Sequence, residues 1–143
     1  REIFSAYVVF LRAVALIHQN NHWTDAGTNF YAHHLLFERL YKETADSVDE
    51  AAEKCIGSFG SDGLTLARQS KLMSELMNKY STSPDGTLES SLAAEKDFSA
   101  LAKKVYGVLK ENDQLTLGLD DLIMSHCNVS ESHQYLLQQA MNP

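Results

Sequence analysis

Residues 22–34 read HWTDAGTNFYAHH, and this stretch lies between two long segments with helical periodicity. It contains three of the six histidines and the single tryptophan. Before it, from residue 1 to about 24, apolar residues recur at spacings of three and four on two adjacent stripes. This pattern predicts a helix that is buried on a wide face. Gly27 can adopt the left-handed conformation that ends such a helix, and Thr28 or Asn29 can cap the next one. We therefore expect two helices joined by a short turn.

The same periodicity continues along the chain and predicts four long helices without strands. The second helix is expected to end at about Cys55, before Gly57, and the others span about 91–110 and 114–140. Between them, residues 57–90 contain glycines and a proline, but 64–80 again has a helical pattern. The fold class predicted is all-α. It is a ferritin-like four-helix bundle with a short helix in the long crossover between the second and third main helices, in a single domain over residues 1–143.

Composition restricts the kinds of partner that this chain can have. The 143 residues include 12 basic and 19 acidic side chains, for a formal net charge of −7. Without a basic run, DNA binding by this chain is expected to be weak, and metal cations are more natural partners. No apolar run approaches the length of a membrane span and no charged-then-apolar leader begins the chain, so we expect no membrane association. Two distant cysteines, Cys55 and Cys127, indicate reduced thiols and a cytoplasmic protein.

One arc of the second helix, about 100° wide on a helical wheel, carries four side chains of the kinds that bind metals. They are His34, Glu38, Asp49 and Glu53. The arc lies beside the core stripe rather than within it, so it should face a neighbouring molecule. Glu38 and Asp49 are roughly 16 Å apart along the axis, and one ion with bonds of about 2 Å cannot contact both.

Two copies of this helix, antiparallel across a two-fold axis, would solve the distance problem. The pairs His34–Glu53 and Glu38–Asp49 share one midpoint, between residues 43 and 44. An isologous dimer would therefore place His34 and Glu38 opposite Asp49 and Glu53 of the partner subunit, twice. His22, at the end of the preceding helix, could complete each site.

Imidazoles and carboxylates without a thiolate suit iron or manganese and tolerate zinc. A site with open positions could bind Fe(II) and pass electrons to an oxidant. A two-iron centre within one subunit, as in ferritin or bacterioferritin, would need Glu-x-x-His on two helices. No glutamate in this chain is followed by His three residues later, which argues against that type of site.

These residues resemble the Dps family, the mini-ferritins named as DNA-binding proteins from starved cells. The family pattern is His-Trp, a Gly, a Phe, a second His twelve residues after the first, an acidic residue four later, and then Asp-x-x-x-Glu. This sequence has His22-Trp23, Gly27, Phe30, His34, Glu38, Asp49 and Glu53. It departs from the pattern in two ways: Glu38 stands where Asp is more usual, so it can shift or bridge the metal, and the lysine-rich tail that many members use on DNA is absent.

The resemblance implies a homo-oligomeric hollow dodecamer that oxidises Fe(II) between subunits, with hydrogen peroxide or oxygen, and stores ferric mineral against peroxide stress. It implies a ferroxidase with catalytic and metal-binding residues His22, His34, Glu38, Asp49 and Glu53. Iron is the metal, with zinc or manganese as substitutes, and Trp23 lies near the site. The alternative is a non-catalytic Dps-like shell whose metal sites have drifted, and Glu38 is the motif residue that favours it.

The remaining polar residues allow more than one interpretation. Asp113, Asp120 and Asp121 are expected to begin the last helix, where they complement its dipole, or else to line an acidic pore at a three-fold axis. His18, His126 and His133 lie on apolar stripes and are interpreted as core histidines, although His18 and His22 are spaced to form a metal pair. Trp23 is expected to pack in an interface, and His33 is expected to be exposed.

Overall fold

The computed structural model describes residues 2–81 and 86–142, which form helices joined by turns. The helices are α1 (Glu2–Thr24), α2 (Phe30–Phe59), α3 (Leu66–Tyr80), α4 (Thr87–Glu111) and α5 (Leu117–Met141), with a 3₁₀ turn at Asp62–Leu64. α1 packs against α2 and α4, and α5 packs against the same two helices. α3 lies in the crossover and packs mainly against α1. The predicted all-α ferritin-like bundle with a crossover helix is therefore confirmed.

The end of α2 differs from the prediction. The helix continues through Gly57, where it was expected to stop, and ends at Phe59. Gly60 adopts a φ of +83°, a conformation that favours glycine, and its N–H donates to the carbonyl oxygen of Ile56 at 2.9 Å. The positive φ therefore ends the helix, whereas a glycine with helical dihedrals does not.

Helix beginnings also differ from the sequence-based expectation. Asn29 precedes α2, but its side chain makes no capping hydrogen bond. α4 begins at Thr87, earlier than expected, and α5 begins at Leu117, later than expected. The α5 start is fixed by Thr116, whose Oγ1 accepts a hydrogen bond from the backbone N–H of Leu119 at 3.1 Å.

The bundle core consists of two apolar clusters. The larger one contains Tyr7 of α1 and Phe98 of α4, whose ring centroids are 5.3 Å apart. The smaller one contains Phe37 and Leu40 of α2, Leu92 of α4 and Leu137 of α5. In α5, the buried polar residues His126, Ser130 and His133 lie between Ile123 of the larger cluster and Leu137 of the smaller one.

α1 differs from the expectation that no segment of the chain is long and apolar enough to span a membrane. By length and composition alone it could cross a membrane, although 56% of its most apolar window is buried within the bundle. A helix buried on a wide face in a protein core has this same composition. Packing against α2, α3 and α4 therefore accounts for the apolar character of α1.

Candidate metal centres

The turn between α1 and α2 is anchored to the start of α4. The carboxylate of Asp25 is buried and accepts a hydrogen bond from Thr87 Oγ1, and its other oxygen lies 3.3 Å from His33 Nδ1. Gly27 allows the turn because its φ of +118° is rarely adopted by other residues. The expectation that His33 is exposed was wrong, since this contact leaves its side chain only 18% exposed.

His22 and His34 lie on opposite sides of this turn and form a stacked pair. Their ring centroids are 3.7 Å apart, at an interplanar angle of 17°. His22 Nδ1 donates to the carbonyl oxygen of His34 at 2.7 Å, and His34 Nδ1 donates to that of His22 at 2.8 Å. Because a carbonyl oxygen only accepts, both Nδ1 atoms carry protons, so that in the neutral imidazoles both Nε2 atoms keep their lone pairs. Histidines that bind metals are oriented in this way.

Glu38 lies one turn beyond His34 on α2. Lys42 Nζ donates to its carboxylate at 2.8 Å. That hydrogen bond and the charge of Lys42 lower the pKa of Glu38, with smaller contributions from His22 and His34. The carboxylate is therefore ionised and near both imidazoles, but one of its oxygens is already bound to a lysine.

Asp49 and Glu53 are exposed farther along α2. Within one subunit they lie far from the histidine pair, because His34, Asp49 and Glu53 are separated along the same helix. Glu53 and Asp121 line one surface groove between α2 and α5. Two of the five predicted ligands, His22 and His34, thus contact each other within the subunit, and their pairing with Asp49 and Glu53 stays a prediction about the assembly.

Apolar side chains are exposed beside the histidine pair. Trp23 is 64% exposed and Tyr31 is 71% exposed, and Leu35 follows on the first turns of α2 at 45%. A group of exposed apolar residues commonly marks a surface that contacts another protein.

The three aspartates near the start of α5 are not equivalent. Asp113 lies in the preceding turn at a φ of +54°, so the expectation that it begins the helix was wrong. Asp120 is in the first turn of α5, and its buried Oδ1 has no hydrogen-bond partner among the described residues. Asp121 is exposed. Only Asp120 and Asp121 are therefore placed to interact with the dipole of α5.

A second cluster of possible metal ligands lies inside the bundle. His18, Glu95 and His133 come from α1, α4 and α5, and all three are buried. Glu95 Oε2 accepts hydrogen bonds from His18 Nε2 at 2.7 Å and from His133 Nδ1 at 2.8 Å. Its Oε1 accepts from Ser130 Oγ at 2.8 Å. One possible ligand atom of each of the three residues lies within 4.8 Å of the others, so the cluster could hold a metal ion.

Charge within this cluster follows from its hydrogen bonds. Burial alone would raise the pKa of Glu95, but the hydrogen bonds from His133 and His18 outweigh it and lower the pKa to about 2. Burial would lower the pKa of His133, but Glu95 and Glu43 raise it overall. His133 Nε2 lies 3.1 Å from Glu43 Oε1, so both ring nitrogens of His133 face carboxylate oxygens and both carry protons.

The sequence interpretation placed His18, His126 and His133 in the core, where the structure also has them. It missed Glu95, which lies on the inward stripe of α4, three residues before Phe98. The available signal was a single acid at a core position, which becomes informative only when two core histidines can reach it. The suggested His18–His22 pair is not formed, because the His18 ring bonds Glu95 and Ser91 whereas His22 bonds the backbone of His34.

Comparison with known proteins identifies similar sequences and similar structures. A DNA protection during starvation protein from Brevibacillus brevis is 30% identical over 123 residues, covering 83% of this chain and 78% of that protein. DNA protection during starvation protein 2 from Bacillus anthracis is 28% identical over 127 residues, covering 86% and 83%. General stress protein 20U from Bacillus subtilis (strain 168) is 26% identical over 122 residues, covering 83% and 81%. No family model matches the chain.

The solved structures show the same fold at low sequence identity. Dps from Thermosynechococcus elongatus superposes with a TM-score of 0.83 at 17% identity, over 99% of this chain and 89% of that one. A C-terminal deletion mutant of Mycobacterium smegmatis Dps superposes with a TM-score of 0.84 at 19% identity, over 99% and 95%.

Proposed function

The chain belongs to the Dps family, and on that premise we propose that it oxidises Fe(II) at sites shared by two subunits and stores the ferric product in a hollow cage. Two Fe(II) ions lose one electron each, and one hydrogen peroxide molecule takes both electrons, with two protons, to give two water molecules. Oxygen is the alternative oxidant. Removing iron and peroxide together would protect the cytoplasm during oxidative stress.

The observation that carries this proposal is the mutual orientation of His22 and His34. Each Nδ1–H is held by the other residue's carbonyl oxygen, at 2.7 and 2.8 Å, so in the neutral ring Nε2 carries the lone pair that can bind a metal. Two imidazoles with their tautomers fixed in this way suit Fe(II), and nearby carboxylates would offset its charge. Glu38, which interacts electrostatically with both histidines, supplies a carboxylate on the same chain.

The remaining ligands would come from a second copy of the chain. Asp49 and Glu53 are exposed and thus free to enter an interface, and the shared midpoint of the two ligand pairs favours an antiparallel arrangement of α2. Contact would also cover the exposed Trp23 and its apolar neighbours. Twelve subunits, each one domain, would then form the cage, with Asp113, Asp120 and Asp121 lining pores through which iron passes.

A non-catalytic shell is the second candidate function. The hydrogen bond between Lys42 and Glu38 favours it, because the lysine occupies a carboxylate oxygen that the metal would need. Such a shell could still bind zinc or manganese without oxidising iron.

Anaerobic loading with Fe(II), followed by peroxide or oxygen, tests the proposal through the absorbance of the ferric product. We expect the protein to bind Fe(II) and to oxidise it faster than buffer does, with the product remaining soluble in an assembly of twelve subunits. Binding without faster oxidation would favour the shell. Light scattering that gives a stable dimer or a particle of 24 subunits would contradict the cage.

A further inference from the structure

We propose that each subunit contains a second metal site, in the middle of its own helix bundle, in which His18 Nε2, His133 Nδ1 and the Glu95 carboxylate bind one divalent first-row transition-metal ion. This site is separate from the histidine pair at the α1–α2 turn, and it does not depend on a neighbouring subunit.

The three donors already converge on one point. Glu95 Oε2 accepts hydrogen bonds from His18 Nε2 at 2.7 Å and from His133 Nδ1 at 2.8 Å. A tetrahedral ion with bonds of about 2 Å holds neighbouring ligand atoms roughly 3.3 Å apart. Replacing the two shared protons by one ion therefore requires each nitrogen to move about half an ångström away from Oε2, while the two nitrogens, which lie within 4.8 Å of each other, take up a similar spacing.

Each proposed ligand also has an outer partner that would hold it in place. His133 Nε2 lies 3.1 Å from Glu43 Oε1, and His18 Nδ1 lies 2.9 Å from Ser91 Oγ. The second oxygen of Glu95 accepts from Ser130 Oγ at 2.8 Å. Metal-binding histidines usually donate their second N–H to a carboxylate or another acceptor in this manner.

Charge balance is compatible with a divalent ion. Glu95 and Glu43 each contribute one negative charge, and together they neutralise an ion of charge +2 once His133 has released one proton. His18 needs only to move its proton from Nε2 to Nδ1, beside Ser91. Burying an ion is costly unless it is neutralised and coordinated, and this cluster meets both conditions.

The position in the fold and the donor types indicate which ions would bind. One residue comes from each main helix, His18, Glu43, Glu95 and His133, and metal sites in helix bundles are built from facing helices in this way. Two imidazoles and one carboxylate without a thiolate suit Zn²⁺, Co²⁺ or Fe²⁺. Since the chain lacks Glu-x-x-His, the site holds one ion rather than a two-iron centre.

Co²⁺ is a suitable probe because its visible absorption reports its ligands. The full chain carrying His34→Gln and Glu53→Gln, which weaken the inter-subunit site, would be titrated with Co²⁺. We expect one Co²⁺ per subunit with visible absorption. Adding His133→Gln should weaken binding at least roughly tenfold, since even outer partners of metal ligands contribute 10–100-fold.

A matched pair of variants covers the case in which His133→Gln fails to fold, judged by far-UV circular dichroism. Glu43 is 41% exposed and Glu50 is 64% exposed on the same helix, so replacing either does not open the core. Glu43→Gln should weaken Co²⁺ binding by roughly 10–100-fold, whereas Glu50→Gln should leave it unchanged. Absent uptake in the doubly substituted background, or uptake unaffected by Glu43→Gln, overturns the proposal. Iron oxidation by the unsubstituted inter-subunit site is measured separately and does not decide it.

Discussion

Glu53 is the proposed ligand whose substitution tests the ferroxidase proposal most directly. It is an exposed carboxylate on α2, and the core residues of that helix do not depend on it. Carboxylate ligands stabilise ferric iron more than ferrous iron, so they favour oxidation. In Glu53→Gln the shape is kept and one negative charge is lost from each site. We expect the cage to assemble and peroxide-driven oxidation to slow by roughly tenfold or more, measured by stopped-flow ferric absorbance.

Glu50→Gln is the control for this comparison, because it removes a charge from the same exposed region of α2 without touching a proposed ligand. Its kinetics should match those of the unsubstituted protein. If an intact Glu53→Gln cage oxidised iron at the unsubstituted rate, the ligand assignment would be wrong and the non-catalytic shell would be favoured.

His126 should make stability depend on pH. Burial raises the pKa of Tyr7, so its hydroxyl keeps the proton and donates to His126 Nδ1 at 2.8 Å. His126 Nε2 lies 3.8 Å from the Glu50 carboxylate, beyond hydrogen-bond distance. Burial lowers the pKa of His126, and the attraction of Glu50 offsets only part of that effect. The unfolded chain therefore binds a proton near pH 6.5 that the folded chain does not. His126 therefore does not lower the free energy of unfolding above that pH. As pH falls below it, proton binding favours the unfolded chain and the free energy of unfolding decreases.

Thermal unfolding between pH 8 and pH 5 tests this expectation. The unsubstituted protein should lose more stability over this interval than His126→Gln, whose amide does not titrate. Asn128→Gln is the matched control, because Asn128 is an exposed, non-titrating residue on the same helix and its replacement should leave the slope unchanged. Parallel curves for the unsubstituted protein and His126→Gln would contradict a depressed pKa at His126.

Residues close in sequence were easier to predict than those that meet across the fold. His22 and His34 are twelve residues apart on either side of one turn, so their spacing alone suggested that they act together. Glu95 is 77 residues from His18 and 38 from His133, and no local pattern links them. Their contact depends on how α1, α4 and α5 pack, which is not visible in any single segment.

At the scale of the helices, periodicity predicted which elements exist but not where α2 ends. Gly57 and Gly60 are both glycines near the end of α2, and either could end a helix. Of the two, only Gly60 adopts a positive φ. Glycine inside a helix costs on the order of 1 kcal/mol relative to alanine, which a long packed helix tolerates. Tertiary packing therefore allows α2 to continue through Gly57 and to end at Phe59, just before Gly60.

The proposed antiparallel contact of α2 with its partner can be tested by cross-linking. We expect a short bismaleimide to join subunits in a mixture of His34→Cys and Glu53→Cys, because these positions oppose each other when the midpoint lies between residues 43 and 44. Each variant alone should yield little product, since position 34 is then far from its own copy. Native Cys55 is buried and Cys127 is half-buried, and mass spectrometry of the linked peptides distinguishes them. Equal yields in all three samples would contradict the two-fold arrangement.

At the scale of the whole molecule, the order of the helices was enough to predict the bundle, but a shared site is not contained in one subunit. The four main helices pack into one bundle, in which α1 and α5 each contact α2 and α4, and α3 lies in the crossover. Among the described residues, the one group of three possible metal ligands that lie close together does not include the exposed Asp49 or Glu53, so their proposed role rests on symmetry rather than on contacts. This is why the fold is shown by the subunit while the ferroxidase assignment is a proposal to be tested on the assembly.

This chain should bind DNA weakly at physiological salt. Affinity for the phosphate backbone comes from cations that displace counterions, and the formal net charge here is −7. Several cations are also engaged already: Lys42 pairs with Glu38, Arg39 with Glu43 and Lys79 with Asp97. We expect a dissociation constant larger than the roughly 10⁻⁴ to 10⁻⁶ M that is typical of non-specific binding.

A gel shift with duplex DNA at about 0.15 M salt, the physiological value, measures this affinity. The positive control is the same chain carrying a lysine-rich extension, which supplies unpaired cations without altering the bundle and should produce a shift that weakens as salt rises. If the chain without the extension shifted DNA as tightly as the extended one, a binding surface would have to exist among its paired cations, and the argument from charge would be wrong.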